Sequence, residues 1–517
     1  MALTPPPFGI AKKARGARGS ICEGPWKRSA ILSGSNGGSP SMTRWLLSLI
    51  CGLYMILAWS FARWTPAWQV PDEPAHYNYI RFIATTGRLP ILRPGDYDQE
   101  YLGQIVSRGF PPELSIDPLR YEFHQPPLYY LLAAPVFIVF QGQLLPLRLF
   151  SASLGLLQIL IAFAAIRRLF PEHPAWALGT AAVFAFLPQH VAMNSGVNND
   201  ALAEALILGI WVLLAEELRS HSPRRAWIGG TLLGAGFLTK TTVYPMALVV
   251  LTAVGARIRR DRAPRAEAMR RLMRWLLPAL LLGGIWWARN LLTYGWPDFL
   301  GLQQHDRVVI GQPRTAEWIA RYGLTATLDR FRAFTFQSFW GQFGWMGVVL
   351  EARWYLFFAW LTVLGLLGLA MHLGRERARS PLWGWPGLLL TLSLTLTAAA
   401  YIGYNLSFVQ HQGRYLFPAL LPIAVGFTIG WLEWLKRPAA DGLAKACGLG
   451  ILAQGLVGGI EGDLPVFPMA LLLGTGMTAQ MAARFPALRP ILALTACLGA
   501  FALDLYLILR VIHPAFQ

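Results

Sequence analysis

Two adjacent stretches indicate the class of this protein: the apolar run Trp45–Ala62 (WLLSLICGLYMILAWSFA) and the polar stretch Trp68–Arg81 (WQVPDEPAHYNYIR). The apolar run is close to the roughly 20 residues that a helix needs to cross a bilayer. The polar stretch places the acidic pair Asp72 and Glu73 just beyond this crossing. Carboxylates so close to a membrane surface are candidates for an active site.

The composition extends the membrane interpretation to the whole chain. Of its 517 residues, 55% are hydrophobic and 14% are charged, and 21 are Trp. This composition excludes an ordinary soluble globular protein and indicates a polytopic helical membrane protein. The four cysteines are far apart and offer neither a disulfide framework nor a zinc-ligand spacing.

The net charge of +18 is concentrated in short segments between apolar runs, most densely at 257–274. If these segments are cytoplasmic, the positive-inside rule accounts for the charge. No basic segment is interleaved with aromatic residues as a base-stacking surface would require, so we do not predict nucleic acid as a partner.

The apolar segments predict an all-α polytopic membrane protein with about 13 transmembrane helices. The pair 226–238 and 241–256 is short, and a hairpin of tilted or shallow helices is the alternative for it. The predicted spans are 43–62, 147–166, 175–193, 201–218, 226–238, 241–256, 275–292, 354–373, 382–402, 415–435, 446–460, 465–482 and 490–510.

The segment 126–140 is apolar but has about 15 residues and contains Pro135, which favours an interfacial or re-entrant helix. A full crossing here would also move the basic segment 257–274 to the outside, against the positive-inside rule. We therefore predict one long extracytoplasmic loop, 65–146, with juxtamembrane helices. A second extracytoplasmic loop, 293–353, is rich in aromatic residues.

The chain divides by composition into three parts. Residues 1–42 are predicted to be a disordered basic cytoplasmic tail, and a start at Met42 is an alternative. Residues 43–435 contain the polar landmarks and are predicted to form the catalytic transmembrane module. Residues 436–517 have few polar landmarks and are predicted to be C-terminal transmembrane helices.

The predicted topology gathers the unusual polar groups on one side of the membrane. Ionisable groups at a membrane face are costly and generally have a partner or a task. Arg289 and Arg414 lie at the outer ends of spans, against the charge bias of the chain. The gathered residues are Asp72, Glu73, His76, His124, Gln125, Asn198, Asn199, Asp200, Lys240, Arg289, Asn290, His411, Gln412 and Arg414.

Several of these residues also have a purely structural interpretation. Asp72 and Glu73 lie in a Pro-Asp-Glu-Pro sequence that suits a turn and a helix start, and Asp200 is well placed to cap a helix. Lys240 and Arg414 are long enough to reach the headgroups without another role. No His, Cys or carboxylate spacing indicates a metal site.

Five motifs occur in an order that resembles the GT-C superfamily of membrane glycosyltransferases. The similarity covers residues 43–435 and is greatest to bacterial members like the protein O-mannosyltransferases and aminoarabinose transferases. The motifs are Pro71-Asp72-Glu73-Pro74-Ala75-His76, His124-Gln125-Pro126-Pro127-Leu128-Tyr129-Tyr130, Asn198-Asn199-Asp200, Gly236-Phe237-Leu238-Thr239-Lys240 and Gln412-Gly413-Arg414-Tyr415-Leu416-Phe417-Pro418.

This resemblance implies a GT-C-like bundle that transfers a sugar from a polyprenyl-phosphate carrier to a protein, lipid or glycan acceptor, with inversion. By analogy Asp72 is the general base and Glu73 helps to position the acceptor or the carrier. Fixed cations must meet the leaving phosphate, and the candidates are Arg414, Lys240 and Arg289. The further substrate-binding candidates are His76, His124, Gln125, Asp200 and Gln412.

The resemblance also implies a multi-pass protein of the inner or plasma membrane, with a cytoplasmic N-terminus, an extracytoplasmic active site and membrane lipids around it. Some relatives have a Lys where this chain has His124-Gln125, so phosphate binding is expected to be distributed differently. The Asp-x-Asp pair of metal-dependent oligosaccharyltransferases is absent. No obligatory cofactor is therefore predicted, although a divalent metal stays an alternative.

Two other functions stay open on the sequence. A transporter or flippase of lipid-linked sugars would also have many spans and intramembrane charge, but repeated halves and broken helices, which are typical of transporters, are not evident. A glycan ligase or polymerase would share the lipid carrier and differ in the size of the donor.

Overall fold

The computed structural model describes residues 40–516, and this part of the chain is almost entirely helical. Its first half contains α1 (Pro40–Trp64), α2 (Glu73–Thr86), α3 (Gln99–Ser107), α4 (Leu128–Val139), α5 (Leu144–Leu169), α6 (Pro174–Phe186), α7 (Pro188–Asn194), α8 (Asp200–Arg219), α9 (Pro223–Phe237) and α10 (Met246–Asp261). A 3₁₀ helix, Tyr121–His124, precedes α4.

The second half contains α11 (Arg265–Tyr294), α12 (Leu302–Val308), α13 (Thr315–Tyr322), α14 (Leu324–Trp340), α15 (Ala352–Glu376), α16 (Trp385–Ser407), α17 (Leu420–Glu433), α18 (Arg437–Glu461), α19 (Val466–Arg484) and α20 (Arg489–Tyr506). A 3₁₀ helix, Gly413–Ala419, precedes α17. The strands β1 (Gln342–Phe343) and β2 (Val348–Val349) pair antiparallel in a short hairpin.

The predicted all-α polytopic fold is confirmed, but the predicted count of 13 spans is not. In the described chain 10 helices are long and apolar enough to cross a membrane, or 11 if α6 and α7, which meet at a 64° bend, form one broken span. Helix α8 has 20 residues, but acidic residues lie near both of its ends, and α9 has 15 residues. Hydropathy counted both of these helices as spans because it averages over isolated charges.

Helix α4 has 12 residues with Pro135 inside it, and it falls within the segment predicted to be interfacial or re-entrant. It packs against α2 and α5. The predicted basic tail lies outside the described residues, except for 40–42, which form the first turn of α1. The division at 435/436 stays a prediction.

Helices α15 and α17 pack closely because glycines face each other along their contact. A Cβ atom at Gly430 would lie 1.8 Å from the carbonyl oxygen of Gly365, and one at Gly368 would lie 2.1 Å from that of Gly430. The indole groups of Trp431 in α17 and of Trp434, the residue after α17, donate hydrogen bonds across this contact to carbonyl groups of α15. The glycines therefore set the position of α17, which follows the 3₁₀ helix that carries Arg414.

We expect Gly430→Ala to lower the free energy of unfolding by about 1–3 kcal/mol, because the added methyl group must displace backbone. Thermal unfolding of the purified protein in detergent measures the change. Gly448→Ala is the matched control, since a Cβ atom at Gly448 would meet no atom within 4 Å. Equal midpoints for the two variants would contradict this account of the α15–α17 contact.

Candidate active site

Asp72 occupies the N-cap position of α2 in a left-handed backbone conformation, with a φ of 67°. Its side chain makes no capping hydrogen bond. Instead, Oδ1 accepts a hydrogen bond from the hydroxyl group of Tyr121 at 3.0 Å, and Oδ2 accepts one from Nη2 of Arg414 at 2.7 Å. The structure thus brings together the predicted base and one predicted cation, which lie 342 residues apart in the sequence.

The Asp72 carboxylate is held in its ionised form. Burial alone would raise the pKa of Asp72, but the charge and the hydrogen bond of Arg414 outweigh this effect and hold the pKa below its usual value. The Asp72 side chain is 25% exposed, whereas that of Arg414 is 5% exposed. The carboxylate can therefore be reached from outside while its partner is fixed in the protein.

Arg414 is oriented by its own short segment. A Cβ atom at Gly413 would lie 2.1 Å from the carbonyl oxygen of Thr335, so only glycine allows this approach to α14. The side-chain oxygen of Gln412, another predicted site residue, accepts a hydrogen bond from Nε of Arg414 at 2.7 Å. The sulfur atom of Met193, a weak hydrogen-bond acceptor, lies 3.8 Å from Nη1 of Arg414.

A second ion pair joins two further predicted residues, Lys240 and Asp200, at 2.6 Å. Asp200 is the first residue of α8, and the N-cap position before it is occupied by Asn199. Asp200 and Arg414 line the same cavity, with a volume of about 10 Å³. This is room for about one water molecule and not for a sugar ring.

His76 lies one turn into α2 and is buried, and Nδ1 of its ring lies 2.9 Å from the hydroxyl group of Tyr130. Burial and then the charge of Lys240 lower the pKa of His76 to about 3. The imidazole is therefore neutral at physiological pH. The neutral ring can form hydrogen bonds, but it provides no positive charge that would attract an anion.

Glu73, the second predicted acid, faces the protein interior. Its side chain is fully buried, and Arg148 donates hydrogen bonds to Oε1 at 2.8 Å and to Oε2 at 2.6 Å. The backbone N–H groups of Trp68 and Val197 donate to the same two oxygens. Both oxygens are thus in use within the protein, and the geometry does not support the predicted contact of Glu73 with a substrate.

Arg289, the third predicted cation, makes a separate set of contacts. Its guanidinium group donates hydrogen bonds to the carbonyl group of Pro90 and the side chain of Asn290, and it lies 4.7 Å from the ring centre of Trp286. In the described part of the chain Arg289 fixes the segment before α3. The structure does not join it to Arg414 or Lys240.

His124 and Gln125 end the 3₁₀ helix beside Asp72. Nδ1 of the buried His124 ring lies 2.9 Å from the carbonyl oxygen of Tyr121, and the ring lies 4.5 Å from that of His305. The carbonyl group of Gln125 accepts a hydrogen bond from the Tyr79 hydroxyl group. These contacts fix the backbone that carries Tyr121. Among residues 40–516 no cluster of three or more metal-ligating side chains occurs, and metal independence stays a prediction.

The sequence interpretation missed three residues of this region. Tyr121 orients Asp72, Arg148 binds Glu73, and Glu122 lies in the same 3₁₀ helix as Tyr121. Burial and then the negative charge of Asp72 raise the pKa of Glu122 to about 8. The available signal was an acidic residue two positions before the His124-Gln125-Pro126-Pro127 motif.

Comparison with known proteins gives a family match to one segment of the chain. Residues 124–281 match the family model of dolichyl-phosphate-mannose-protein mannosyltransferase. This match agrees with the glycosyltransferase that the sequence predicts, and it covers less than a third of the chain. The matched segment contains His124, Gln125, Asp200 and Lys240, whereas Asp72 and Arg414 lie outside it. No curated protein sequence matches the chain.

Solved structures of glycosyltransferases also resemble this chain. ArnT from Cupriavidus metallidurans bound to undecaprenyl phosphate is 14% identical, with a TM-score of 0.49 over 91% of this chain and 78% of ArnT. Its apo form is 16% identical, with a TM-score of 0.49 over 92% and 79%. The oligosaccharyltransferase of Archaeoglobus fulgidus is 15% identical, with a TM-score of 0.43 over 89% and 55%.

We expect Arg148→Ala to lower the free energy of unfolding by about 3–5 kcal/mol, because the variant leaves the Glu73 carboxylate buried without a cation. Arg81→Ala is the matched control, since Arg81 pairs with Asp117 where both side chains are well exposed, and such pairs contribute about 1 kcal/mol or less. Thermal unfolding in detergent compares the two variants. A midpoint for Arg148→Ala as high as that for Arg81→Ala would refute the structural role of this pair.

Proposed function

We propose that this glycosyltransferase moves a sugar from a polyprenyl-phosphate carrier to an acceptor hydroxyl or amine at the extracytoplasmic face, with inversion and with Asp72 as general base. The observation that carries the proposal is the exposed edge of the Asp72 carboxylate beside the buried guanidinium group of Arg414. The description of the matched family, which names a dolichyl-phosphate sugar, supports a lipid-phosphate donor.

The proposed base has the geometry that its task requires. An acceptor group loses its proton as it attacks the sugar, and a carboxylate within hydrogen-bond reach takes that proton. Because Arg414 holds the pKa of Asp72 below its usual value, the carboxyl group of Asp72 is already ionised at neutral pH. It can therefore accept a proton directly. Tyr121 and Arg414 together fix the direction of its two oxygens.

The leaving group is a lipid phosphate, and its growing negative charge calls for fixed cations. Arg414 and Lys240 are proposed for this role, and in the described structure each is paired with a carboxylate, Asp72 and Asp200 respectively. Nη1 of Arg414 has only sulfur as its partner there, so a phosphate oxygen would be a better acceptor. The phosphate is proposed to bind between these two cations.

The remaining predicted residues take supporting roles in this proposal. His76 and Gln412 hold the site through Tyr130 and Arg414, and Glu73 positions Asp72 from the interior through Arg148. Residues 43–435 would form the catalytic module and 436–517 a further set of membrane helices. The proposed location is the inner or plasma membrane, with the N-terminus in the cytoplasm.

We expect Asp72→Asn to reduce transfer by about 10²- to 10⁴-fold, the usual contribution of a general base. The assay uses purified protein in lipid nanodiscs, a panel of undecaprenyl-phosphate monosaccharides and a panel of peptide, lipid and glycan acceptors. Asp117→Asn is the matched control in the same loop, since Asp117 is exposed and pairs with Arg81, and it should keep the wild-type rate.

Three outcomes would overturn parts of this proposal. A folded Asp72→Asn variant with the wild-type rate would remove Asp72 from the role of base. Movement of the lipid across the bilayer without formation of a glycosidic bond would favour a transporter. Transfer of whole glycans in place of single sugars would favour a ligase or polymerase.

We also expect Arg414→Gln and Lys240→Gln each to weaken the binding of undecaprenyl phosphate by about tenfold or more, because a hydrogen bond to a charged group contributes roughly 1.5–3 kcal/mol. Arg289→Gln should change the affinity by less than about threefold, since its hydrogen bonds hold the segment at Pro90. Binding is measured by titration of each variant in nanodiscs. If Arg289→Gln lost as much affinity as Arg414→Gln, Arg289 would have to be counted among the residues that bind the phosphate.

A further inference from the structure

Glu122 is a third carboxyl group at the proposed site, and one of its oxygen atoms is buried without a partner. Its side chain is half-buried, and Oε2 is shielded from solvent and has no hydrogen-bond partner among the described residues. A buried polar atom without a partner costs free energy. Such an atom beside a proposed active site indicates a ligand that supplies the missing hydrogen bond.

The charges around Glu122 bear on whether its carboxyl group is ionised or neutral. Asp72 is paired with Arg414, and Asp200 is paired with Lys240, so these two carboxylates and two cations cancel. Glu122 has no cationic partner of its own within 4.0 Å in the described structure. If it were ionised, the site would carry a net charge of −1, which opposes the binding of an anion.

The other titratable groups near Glu122 do not supply a compensating charge. His76 on α2 is neutral, and the ring of His124 has a pKa well below its usual value because of its burial and the neighbouring His305. Asp306 and Arg307 are neighbours on α12, which packs against this 3₁₀ helix, and their opposite charges cancel. The hydroxyl groups of Tyr79, Tyr121 and Tyr130, which interact with Glu122 or lie in its 3₁₀ helix, are uncharged at neutral pH.

We propose that Glu122 binds the phosphate group of the carrier lipid as a neutral carboxylic acid, with Oε2 donating a hydrogen bond to a phosphate oxygen. The proposal rests on the proposed function, which supplies the lipid phosphate. A neutral donor contacts an anion without repulsion, and its hydrogen bond strengthens as the phosphate gains negative charge on leaving. The proton stays on Glu122 throughout, while the proton of the acceptor goes to Asp72.

The direction of the pH dependence follows from this role. The raised pKa of Glu122, about 8, leaves the carboxyl group mostly protonated at neutral pH. The hydrogen bond is present below this pH and is lost as the pH rises through it. Binding of the lipid phosphate should therefore weaken above pH 8, by up to tenfold for each further pH unit, because one proton must be taken up with the ligand.

The test measures the binding of undecaprenyl phosphate to protein in nanodiscs between pH 7 and pH 9.5. Glu122→Gln keeps a neutral donor of the same shape, so it should bind as well as wild type at pH 7, within about threefold, and should not weaken above pH 8. Glu122→Ala removes the donor and should bind about tenfold more weakly at pH 7. The ionisation of the lipid itself is common to all variants and cancels in the comparison at each pH.

The control is Glu113→Gln, which changes an exposed glutamate of the same loop that is paired with Arg108 and should follow the wild-type curve. Identical pH curves for wild type and Glu122→Gln, or wild-type binding by Glu122→Ala, would overturn the inference. Tenfold weaker binding by Glu122→Gln at pH 7 would overturn it as well, since it would require the ionised form. If no variant and no wild type binds the lipid phosphate, the proposed function itself fails.

Discussion

The buried ion pair between Arg148 and Glu73 is the constraint on which the arrangement of the site depends. The guanidinium group of Arg148 makes five hydrogen bonds, two to Glu73 and three to the carbonyl groups of Ala62, Thr65 and Pro66 at the end of α1. These match the five N–H donors of an arginine side chain. One side chain of α5 thus fixes where α1 ends and where α2 begins, and Asp72 is the residue between these two points.

The two ion pairs at the surface of the site have a different character. Arg414 and Lys240 approach Asp72 and Asp200 from distant parts of the sequence, and each carboxylate keeps part of its surface exposed. The resting site is therefore close to neutral, with the cations already dehydrated and held in place. A phosphate group entering such a site meets fixed positive charge without first having to order long flexible side chains.

The sequence predicted much of this site because charge placement is informative in a membrane protein. Arg414 was recognised since it opposed the charge bias of the chain, and Asp72 since it followed the first span. Arg289 also opposes the charge bias of the chain, but it contacts other residues. Hydropathy gives the depth of a residue in the membrane and not the direction in which its side chain points. Arg148 and Glu122 were missed for the same reason: their importance comes from neighbours that only the tertiary fold supplies. The predicted count of 13 spans is not confirmed, and α8 and α9 are two of the predicted spans that are charged near their ends or short.

The left-handed backbone of Asp72 is a local cost that the ion pair of its side chain with Arg414 offsets. A side chain with a Cβ atom adopts a positive φ at a cost of roughly 1 kcal/mol, whereas glycine adopts it freely. Glycine at position 72 would relieve this cost but would leave the guanidinium group of Arg414 buried without its carboxylate, which destabilises the protein by more than the backbone gains. Attempts to stabilise this protein by substitution should accordingly leave the turn before α2 unchanged, even though its dihedral angles mark it as an attractive target.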